Sequence, residues 1–264
     1  MNRYLDRNNN RLIYAGSAAD KDFWDRHWDA AEFASLLKVD GNRFITKNTG
    51  KYLPPGSRIL EGGCGRGDKV YVLSKNGYDA YGIDYAARTV AIINSLAPEL
   101  KVSCQDVTRL DFQNSFFDGY WSLGVIEHFY DGYDLIVREM ARVIKKGGYL
   151  FLTVPSMSPV RKIKAFAGGY PDYVESEMLR REFYQFALNE DDVIRKISEA
   201  GFSLMEKSRF DGVKGLKDEI SIFKGQLNRF YNSQDTRARI MRSLLDRLVT
   251  WFTGHMSFMV FKRI

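Results

Sequence analysis

The chain has 264 residues, with 39 Lys and Arg against 33 Asp and Glu, and two Cys. A hydrophobic content of 45% with 27% charged residues excludes a disordered or fibrous chain, and the length suffices for one large domain or two small ones. Two cysteines exclude a disulfide scaffold and favour a reducing, cytoplasmic compartment. The start has no apolar run typical of a secretory signal, and the longest apolar stretch, 149–155, is too short to cross a bilayer. The net charge of +6 fits a nucleic-acid or anionic-membrane partner, or simply a basic enzyme.

From residue 57 onward, short β-rich runs alternate with helical stretches, which predicts βαβ units on a parallel sheet. The predicted strands are 58–62, 79–84, 100–104, 118–124 and 148–155, and the predicted helices are 69–77, 87–97 and 135–146. Gly77 and Gly147 stand where helices should end. Because such a sheet binds its ligand at the carboxyl ends of its strands, functional residues are expected just after positions 62, 84, 105 and 123.

The remaining segments lie before and after this alternation. They are predicted as a helical N-terminal extension (1–56) with an aromatic helix at 22–38, a lid insert (156–188), a helix at about 190–200, a strand (202–210), a largely helical insert (211–254) and a last strand (255–263).

The sharpest local signal is the glycine loop ILEGGCGRGD at 59–68, which follows a strand and opens a helix. The dinucleotide pattern GxGxxG fails in both registers, because Asp68 and Cys64 stand where it needs Gly, and a P-loop lysine is missing. What fits is an acidic residue followed by alternating glycines, namely Glu61, Gly63, Gly65 and Gly67. This spacing resembles motif I of the class I S-adenosylmethionine (SAM) dependent methyltransferases. The alternative is a tight strand–helix turn without a ligand.

The resemblance extends to the residues after the next strands. Residues 122–129 look like motif IV, and Arg142, Lys145, Gly147 and Gly148 look like the run before the family's fifth strand. It covers 56–155 closely and 189–210 and 255–263 more loosely, and it is nearest to the small-molecule enzymes of ubiquinone and menaquinone biosynthesis. It implies a methyltransferase domain over 57–264 and an α/β fold: a Rossmann-like, doubly wound sheet of seven strands, parallel with an antiparallel last strand, with helices on both faces.

The same resemblance assigns the cofactor, SAM, with S-adenosylhomocysteine as its product. The implied cofactor-binding residues are Glu61, Gly62, Gly63, Gly65, Gly67, Asp84, Tyr85, Asp106, Val107, Leu123 and Gly124. Glu61 would face the cationic end of the methionine moiety, Asp84 would accept both ribose hydroxyls, and Asp106 would meet the adenine amine. Each has a structural alternative; Tyr85, for example, is equally suited to be an aromatic at the start of a helix.

Exclusions narrow the class of methyl acceptor. The motifs of DNA amino-methylating, RNA cytosine-5, arginine and metal-dependent catechol methyltransferases are each missing after the fourth strand or beside Cys64 and Cys104. A small-molecule acceptor remains, with no DNA-binding motif and no metal site. The inserts favour a bulky, apolar or lipid-like one.

His128 is the candidate catalytic base, because it follows the fourth strand beside the expected methyl position. The alternative, which we favour, is that Glu127 and His128 stabilise the loop by hydrogen bonds. His27 and His255 are expected to be structural or exposed.

Several aromatic residues are candidates for a cover over the site. Trp24 and Trp28 lie four residues apart on one helix face and either fold over the cofactor or pack the helix on the sheet, and Tyr14 is a candidate for the same cover. The lid insert offers Tyr170, Tyr173, Phe183, Tyr184 and Phe186 as pocket walls, although aromatic clusters are more often core.

Residues 236–254 predict an amphipathic helix with a stripe formed by Ile240, Met241, Leu244, Leu245, Leu248, Val249 and Phe252. One interpretation is a membrane-surface helix, giving peripheral membrane contact; the favoured one is a lid or homodimer helix whose stripe packs on protein. Residues 212–264 hold ten basic and four acidic residues, which is the whole surplus of charge. The second functional hypothesis is therefore a non-catalytic SAM-fold binding protein acting through this basic insert; the intact Glu61, Asp84 and Asp106 set favours an enzyme.

Overall fold

The computed structural model describes residues 1–16, 23–24, 43–220 and 224–264. Its strands, in chain order, are β1 (Asn2–Asp6), β2 (Arg11–Ala15), β3 (Arg58–Gly62), β4 (Asp79–Asp84), β5 (Lys101–Cys104), β6 (Phe117–Leu123), β7 (Ile144–Pro155), β8 (Phe183–Ala187), β9 (Phe202–Phe210) and β10 (Met256–Arg263). Its helices are α1 (Arg43–Tyr52), α2 (Asp68–Lys75), α3 (Ala87–Leu96), α4 (Asp134–Val143), α5 (Pro159–Phe166), α6 (Glu177–Arg181), α7 (Glu190–Glu199), α8 (Gly212–Glu219), α9 (Lys224–Asn232) and α10 (Thr236–Thr253). A single 3₁₀ turn, Ile126–His128, follows β6 in the described chain.

The central sheet has seven strands in the order β5-β4-β3-β6-β7-β10-β9. The first five are parallel to one another, and β10 runs antiparallel to both β7 and β9. The chain order reverses beside β3, which is the doubly wound arrangement with its ligand crevice at the carboxyl ends. The predicted α/β fold class with an antiparallel last strand is confirmed.

Trp121 fixes the middle of this sheet. Its fully buried ring stacks on Phe151 of β7 with centroids 4.4 Å apart and lies 5.8 Å from the ring of Phe258 on β10. The indole Nε1 donates a hydrogen bond of 3.1 Å to the Thr49 hydroxyl of α1, so the one polar atom of this side chain is satisfied in the core. Helix α1 is thereby held on the sheet.

Within the N-terminal extension 1–56, predicted as helical, residues 2–15 form two strands and Arg43–Tyr52 forms helix α1. β1 and β2 are an antiparallel hairpin, and Asn10 turns the chain with a left-handed φ of 45°. β2 pairs in turn with β8 from the lid insert, giving a separate three-stranded sheet. The helix was predicted from the aromatic segment 22–38, which lies outside the described residues except for Phe23 and Trp24; His27 and Trp28 lie outside them as well.

The boundary between α4 and β7 also differs from the prediction. The helix ends at Val143, not 146, because Ile144 is already buried and paired with Phe117. Gly147, expected directly at the helix end, therefore lies within β7, where its φ of 81° accompanies an irregular register. Gly77 does follow the cap of α2, with a φ of 81°.

A buried carboxylate, Glu219, joins the N-terminal hairpin, the lid insert and α8. Its Oε1 lies 2.9 Å from Nε of the fully buried Arg161 and 2.6 Å from Nη1 of Arg3. The hydroxyl of Tyr170 donates to Oε2 at 2.6 Å, and Lys164 Nζ lies 3.2 Å away. Burial alone would raise the pKa of Glu219, but Arg161, Tyr170 and Arg3 together hold it below its usual value.

Helix α10 presents its apolar stripe to solvent. Four residues of the predicted stripe do not pack on this chain as a lid helix would, because they are exposed: Ile240, Met241, Leu244 and Leu248. Trp251, which was not part of the predicted stripe, is exposed beside them, and a homodimer contact through this face stays a prediction. Leu245, Val249 and Phe252 are only half-buried. In the described part of the chain, α10 and every other helix fall short of the length and apolarity needed to traverse a bilayer.

Candidate functional site

A cavity of about 360 Å³ opens at the carboxyl ends of β3, β4, β5 and β6. Its lining includes nine residues singled out from sequence, namely Trp24, Gly63, Gly65, Asp84, Tyr85, Asp106, Val107, Leu123 and Gly124. It also includes Gln105, Val125 and Phe129, which sequence reasoning did not single out, and His128. We call this space the first cavity.

The glycine loop forms the floor of the first cavity with bare backbone. Gly63 and Gly65 have left-handed φ angles of 74° and 49°, which glycine tolerates best. The amides of Gly63 and Cys64 both donate to the Ile83 carbonyl, at 2.9 and 2.8 Å, so the loop is tied to β4. A Cβ at Gly63 would come within 2.7 Å of a Val125 methyl group, so a side chain there would crowd the cavity.

Two carboxylates are held at the rim of this cavity by backbone amides. Asp84 Oδ2 accepts from Gly65 N at 2.8 Å, and Oδ1 accepts from Ala86 N at 3.0 Å. Asp106 Oδ1 accepts from the amide and the hydroxyl of Thr108, at 2.8 and 2.7 Å. Because each carboxylate oxygen can accept more than one hydrogen bond, both residues keep the capacity to bind a ligand's donors in a fixed position.

Three predicted cofactor residues lie behind the cavity wall. Glu61 is buried, its Oε2 makes no hydrogen bond to any described residue, and burial raises its pKa to about 8 against the opposing effect of Lys69. A Cβ at Gly62 would lie 2.0 Å from the Tyr120 hydroxyl, so that glycine makes room for Tyr120. Gly67 has a φ of 76° and starts α2.

A second cavity of about 510 Å³ adjoins the first, since Gly124 and His128 line both. Its other lining residues come from six separate stretches of the chain: Met1, Arg3, Tyr14, Glu127, Pro155, Tyr184, Gln185, Lys214, Asp218, His255 and Met256. This set is mostly polar or charged. Of the aromatic cover and wall candidates, Tyr14 and Tyr184 reach it.

The other aromatic wall candidates make contacts within the protein. Tyr170 is bonded to Glu219, and the Tyr173 hydroxyl forms a short hydrogen bond with the Tyr130 hydroxyl. Phe183 and Phe186 are buried side by side, with ring centroids 4.6 Å apart. None of these four is among the residues that line either cavity in the described chain.

His128 stands between the two cavities in a defined tautomer. Its Nδ1 lies 2.7 Å from the Tyr184 carbonyl oxygen, which can only accept, so Nδ1 carries the proton and Nε2 keeps its lone pair. Burial lowers the pKa of His128, and the hydrogen bond to the Tyr184 carbonyl offsets this lowering only in part. The imidazole is therefore neutral at neutral pH. The ring of Trp24 meets it edge-on at 5.2 Å. The expected loop-stabilising hydrogen bond is present, and it leaves a basic nitrogen available for proton transfer.

Buried ionisable groups line the second cavity. Glu127 has no hydrogen-bond partner for its Oε2 among the described residues, and burial raises its pKa to about 8. His255 is buried, and desolvation together with the nearby Arg161 cation lowers its pKa to about 2. At neutral pH the walls thus hold an uncharged carboxyl group and an uncharged imidazole. Sequence reasoning missed Glu127 as a wall residue and placed His255 outside the site.

Part of the chain is similar in sequence to known methyltransferases. Residues 60–152 match the model of a family described as "Methyltransferase domain". The chain is 33% identical over 102 residues, 37% of its length, to 2-methyl-6-phytyl-1,4-hydroquinone methyltransferase of Synechocystis, and 39% identical over 105 residues, 39% of its length, to the bovine "Probable tRNA methyltransferase 9B". The matched parts span only 32% and 22% of those two relatives.

A solved structure is similar over nearly the whole chain. Phosphoethanolamine N-methyltransferase 2 of Haemonchus contortus, in complex with S-adenosyl-L-methionine, has a TM-score of 0.58 and 17% identity over 94% of this chain and 60% of that one. At that identity the likeness concerns the fold.

Proposed function

Because the chain carries a class I SAM-dependent methyltransferase domain, we propose that its first cavity binds SAM and that the methyl group passes to a small-molecule acceptor in the second cavity. The observation that carries this proposal is the junction of the two cavities at Gly124 and His128. A methyl donor and an acceptor held on either side of that junction would be aligned for direct transfer.

The residues of the first cavity fit such a cofactor. The fixed carboxylates of Asp84 and Asp106 suit ribose hydroxyls and an adenine amine, and the side-chain-free loop at Gly63 and Gly65 lets a ligand approach the backbone. The buried Glu61 Oε2, to which no described residue is bonded, lies just behind the loop and suits the cationic end of the methionine moiety. When bound, SAM supplies a methyl group already activated on a sulfonium centre.

His128 is the base of this proposal. An acceptor hydroxyl or ammonium group must lose a proton as it is methylated, and Nε2 of a neutral imidazole can take it. The hydrogen bond from Nδ1 to the Tyr184 carbonyl fixes the ring for that task. The lid insert, whose Tyr184 and Gln185 line the second cavity, forms one wall for the acceptor in this proposal.

The acceptor is proposed to be an amphipathic molecule rather than a wholly apolar one. Arg3, Tyr14, Lys214 and His255 line the second cavity, so an acceptor there meets hydrogen-bonding groups on several sides. The curated relatives are named as a hydroquinone methyltransferase and a tRNA methyltransferase. A hydroquinone and a tRNA are therefore the acceptor classes to compare in a transfer assay.

The test is calorimetry with S-adenosylhomocysteine, followed by transfer of a radiolabelled methyl group. Asp84→Ala should weaken binding at least tenfold, whereas Asp79→Ala, at the opposite end of the same strand and outside both cavities, should not change it. Transfer to a small hydroquinone or an aminoalcohol phosphate supports the proposal. Absent cofactor binding contradicts it, and transfer to tRNA alone contradicts its acceptor class. The non-catalytic hypothesis requires binding without transfer to any acceptor.

A further inference from the structure

Helix α10 packs against the protein through a side that includes polar residues bonded to α8. The Asp246 carboxylate accepts the Val213 amide of α8 at 2.9 Å, and the Thr253 hydroxyl donates to the Gly212 carbonyl at 2.7 Å. A Cβ at Gly212 would come within 2.7 Å of the Thr250 backbone, so the two helices meet at their main chains. The packing side of α10 is therefore already occupied by α8.

The opposite face of α10 is apolar and exposed. Ile240, Leu244, Leu248 and Trp251 follow one another at helical spacing with 58%, 56%, 71% and 69% of their surface exposed, and Met241 beside them is 61% exposed. An ordinary surface helix has the reverse arrangement, with its apolar stripe toward the core. A continuous exposed stripe of this kind marks an interaction site. We call these five residues the outer stripe.

Positive charge accompanies the outer stripe. Arg237 is three residues before Ile240, and Arg247 is three after Leu244 and four before Trp251, so both border the stripe, and both are exposed. The acidic residue within the helix, Asp246, points toward α8 instead. Bulky apolar residues with a Trp, flanked by arginines, have the composition of helices that lie in the interface of a membrane with anionic lipids.

We propose that α10 lies on an anionic membrane surface, with the outer stripe inserted at the boundary of headgroups and acyl chains and Arg237 and Arg247 on lipid phosphates. A second copy of the chain is a poorer occupant, because stripe against stripe would bring arginines together without an acidic residue between them. The membrane supplies both the apolar and the anionic partner. This inference is independent of the proposed methyl transfer.

Co-sedimentation of the full chain with phosphatidylcholine vesicles, with and without phosphatidylglycerol, tests the proposal. Binding is expected to require phosphatidylglycerol and to weaken at high salt. Leu248→Ser should weaken partitioning roughly tenfold, since one buried leucine contributes about that factor. Leu135→Ser, a leucine 57% exposed on α4, is the matched control and should bind like the wild type. Arg237→Gln with Arg247→Gln should remove the salt dependence.

The overturning results are equally specific. No binding to phosphatidylglycerol vesicles, or equal losses in Leu248→Ser and Leu135→Ser, contradicts a membrane role of the outer stripe. Sedimentation equilibrium tests whether a second copy of the chain covers the outer stripe instead. A dimer that Leu248→Ser dissociates would assign the stripe to that second copy and overturn the proposal. Matching thermal unfolding midpoints of the wild type and the three variants establish that the exposed substitutions leave the fold intact.

Discussion

The Nζ atom of Lys214 lies 2.5 Å from Nε2 of His255, and Arg161 Nη2 lies 2.8 Å from Nδ1 of the same ring. Arginine can only donate, so Nδ1 accepts and the ring proton sits on Nε2. That proton needs an acceptor, and the lysine can provide one only as a neutral amine. Burial lowers the pKa of Lys214, as do the nearby Arg161 and Lys217, while Asp218 and Asp211 oppose this shift.

The first prediction is that Lys214 titrates below the usual lysine pKa of 10.5. The rate of labelling by an amine-reactive ester, followed by peptide mass spectrometry across a pH series, reports the midpoint. Lys101 is the internal reference, because its hydrogen bonds to Asp79 and Tyr81 raise its pKa. Lys214 should lose its reactivity at a lower pH than Lys101 does. Equal midpoints, after correction for exposure, would mean that the Arg161–His255–Lys214 row does not hold a neutral amine.

The second prediction concerns the pH dependence of cofactor binding. Burial raises the pKa of Glu61 to about 8, with Asp68 and Asp84 adding to the shift and Lys69 opposing it. A cationic ligand beside Glu61 favours the ionised form, so binding below that pH releases a proton and becomes tighter as the pH rises toward 8. Calorimetry in buffers of different ionisation enthalpy measures the release. Glu61→Gln should bind the cofactor more weakly and without the pH dependence. If the affinity of this variant changed with pH as that of the wild type does, Glu61 would not be the group that contacts the ligand.

The third prediction separates the two roles of His128. His128→Asn can still donate to the Tyr184 carbonyl but has no basic nitrogen, whereas His128→Ala lacks both. If His128 is the base, both variants lose methyl transfer by about 100-fold or more while still binding S-adenosylhomocysteine. A purely structural role would instead be rescued by Asn. In the wild type the activity should decline only below the usual histidine value of 6.5, because burial lowers the pKa of His128.

The fourth prediction concerns stability. Arg161→Met removes a fully buried partner of Glu219 and should lower the free energy of unfolding by about 3 kcal/mol, since the carboxylate stays buried with weaker compensation. Arg195→Met, which breaks exposed ion pairs on α7, should leave denaturant unfolding unchanged.

The pH dependence of this stability difference tests whether Arg161 acts through the charge of Glu219. Because the pKa of Glu219 is held below 4.5, its contribution is present above that pH and is lost as the pH falls through the lowered value. The difference between the wild type and Arg161→Met should therefore shrink in acid. A difference that is constant with pH would assign the loss to packing of the arginine stem alone.

The central sheet could be predicted because its information is local. The strands β3, β4 and β6 are short, mostly buried runs, and each is followed by a helix before the next strand begins. Gly77 marks a helix end by its backbone conformation alone. The first cavity followed from the same logic, since the carboxyl ends of neighbouring parallel strands must lie together.

The features that sequence reasoning missed depend on distant pairing. β2 finds its partner in β8, and a strand's register is set by such partners rather than by its own residues. The side to which the α10 stripe turns depended on Asp246 and Thr253 meeting α8, which no periodicity encodes. The pairing of Glu219 with Arg161 has no signal in the sequence, because the two residues are 58 positions apart and only the fold brings them together.

The three-stranded sheet of β1, β2 and β8 has a consequence for the order of assembly. The first cavity is built largely from one continuous stretch, whereas the second closes only when residues near the start of the chain meet others near positions 184, 214 and 255. These contacts form only when long loops close, which has an entropic cost. The contacts of the second cavity are therefore expected to form late in folding and to open first. Backbone amides of β2 should therefore exchange with deuterium sooner than those of β6, and the first cavity should persist in molecules in which the second has opened.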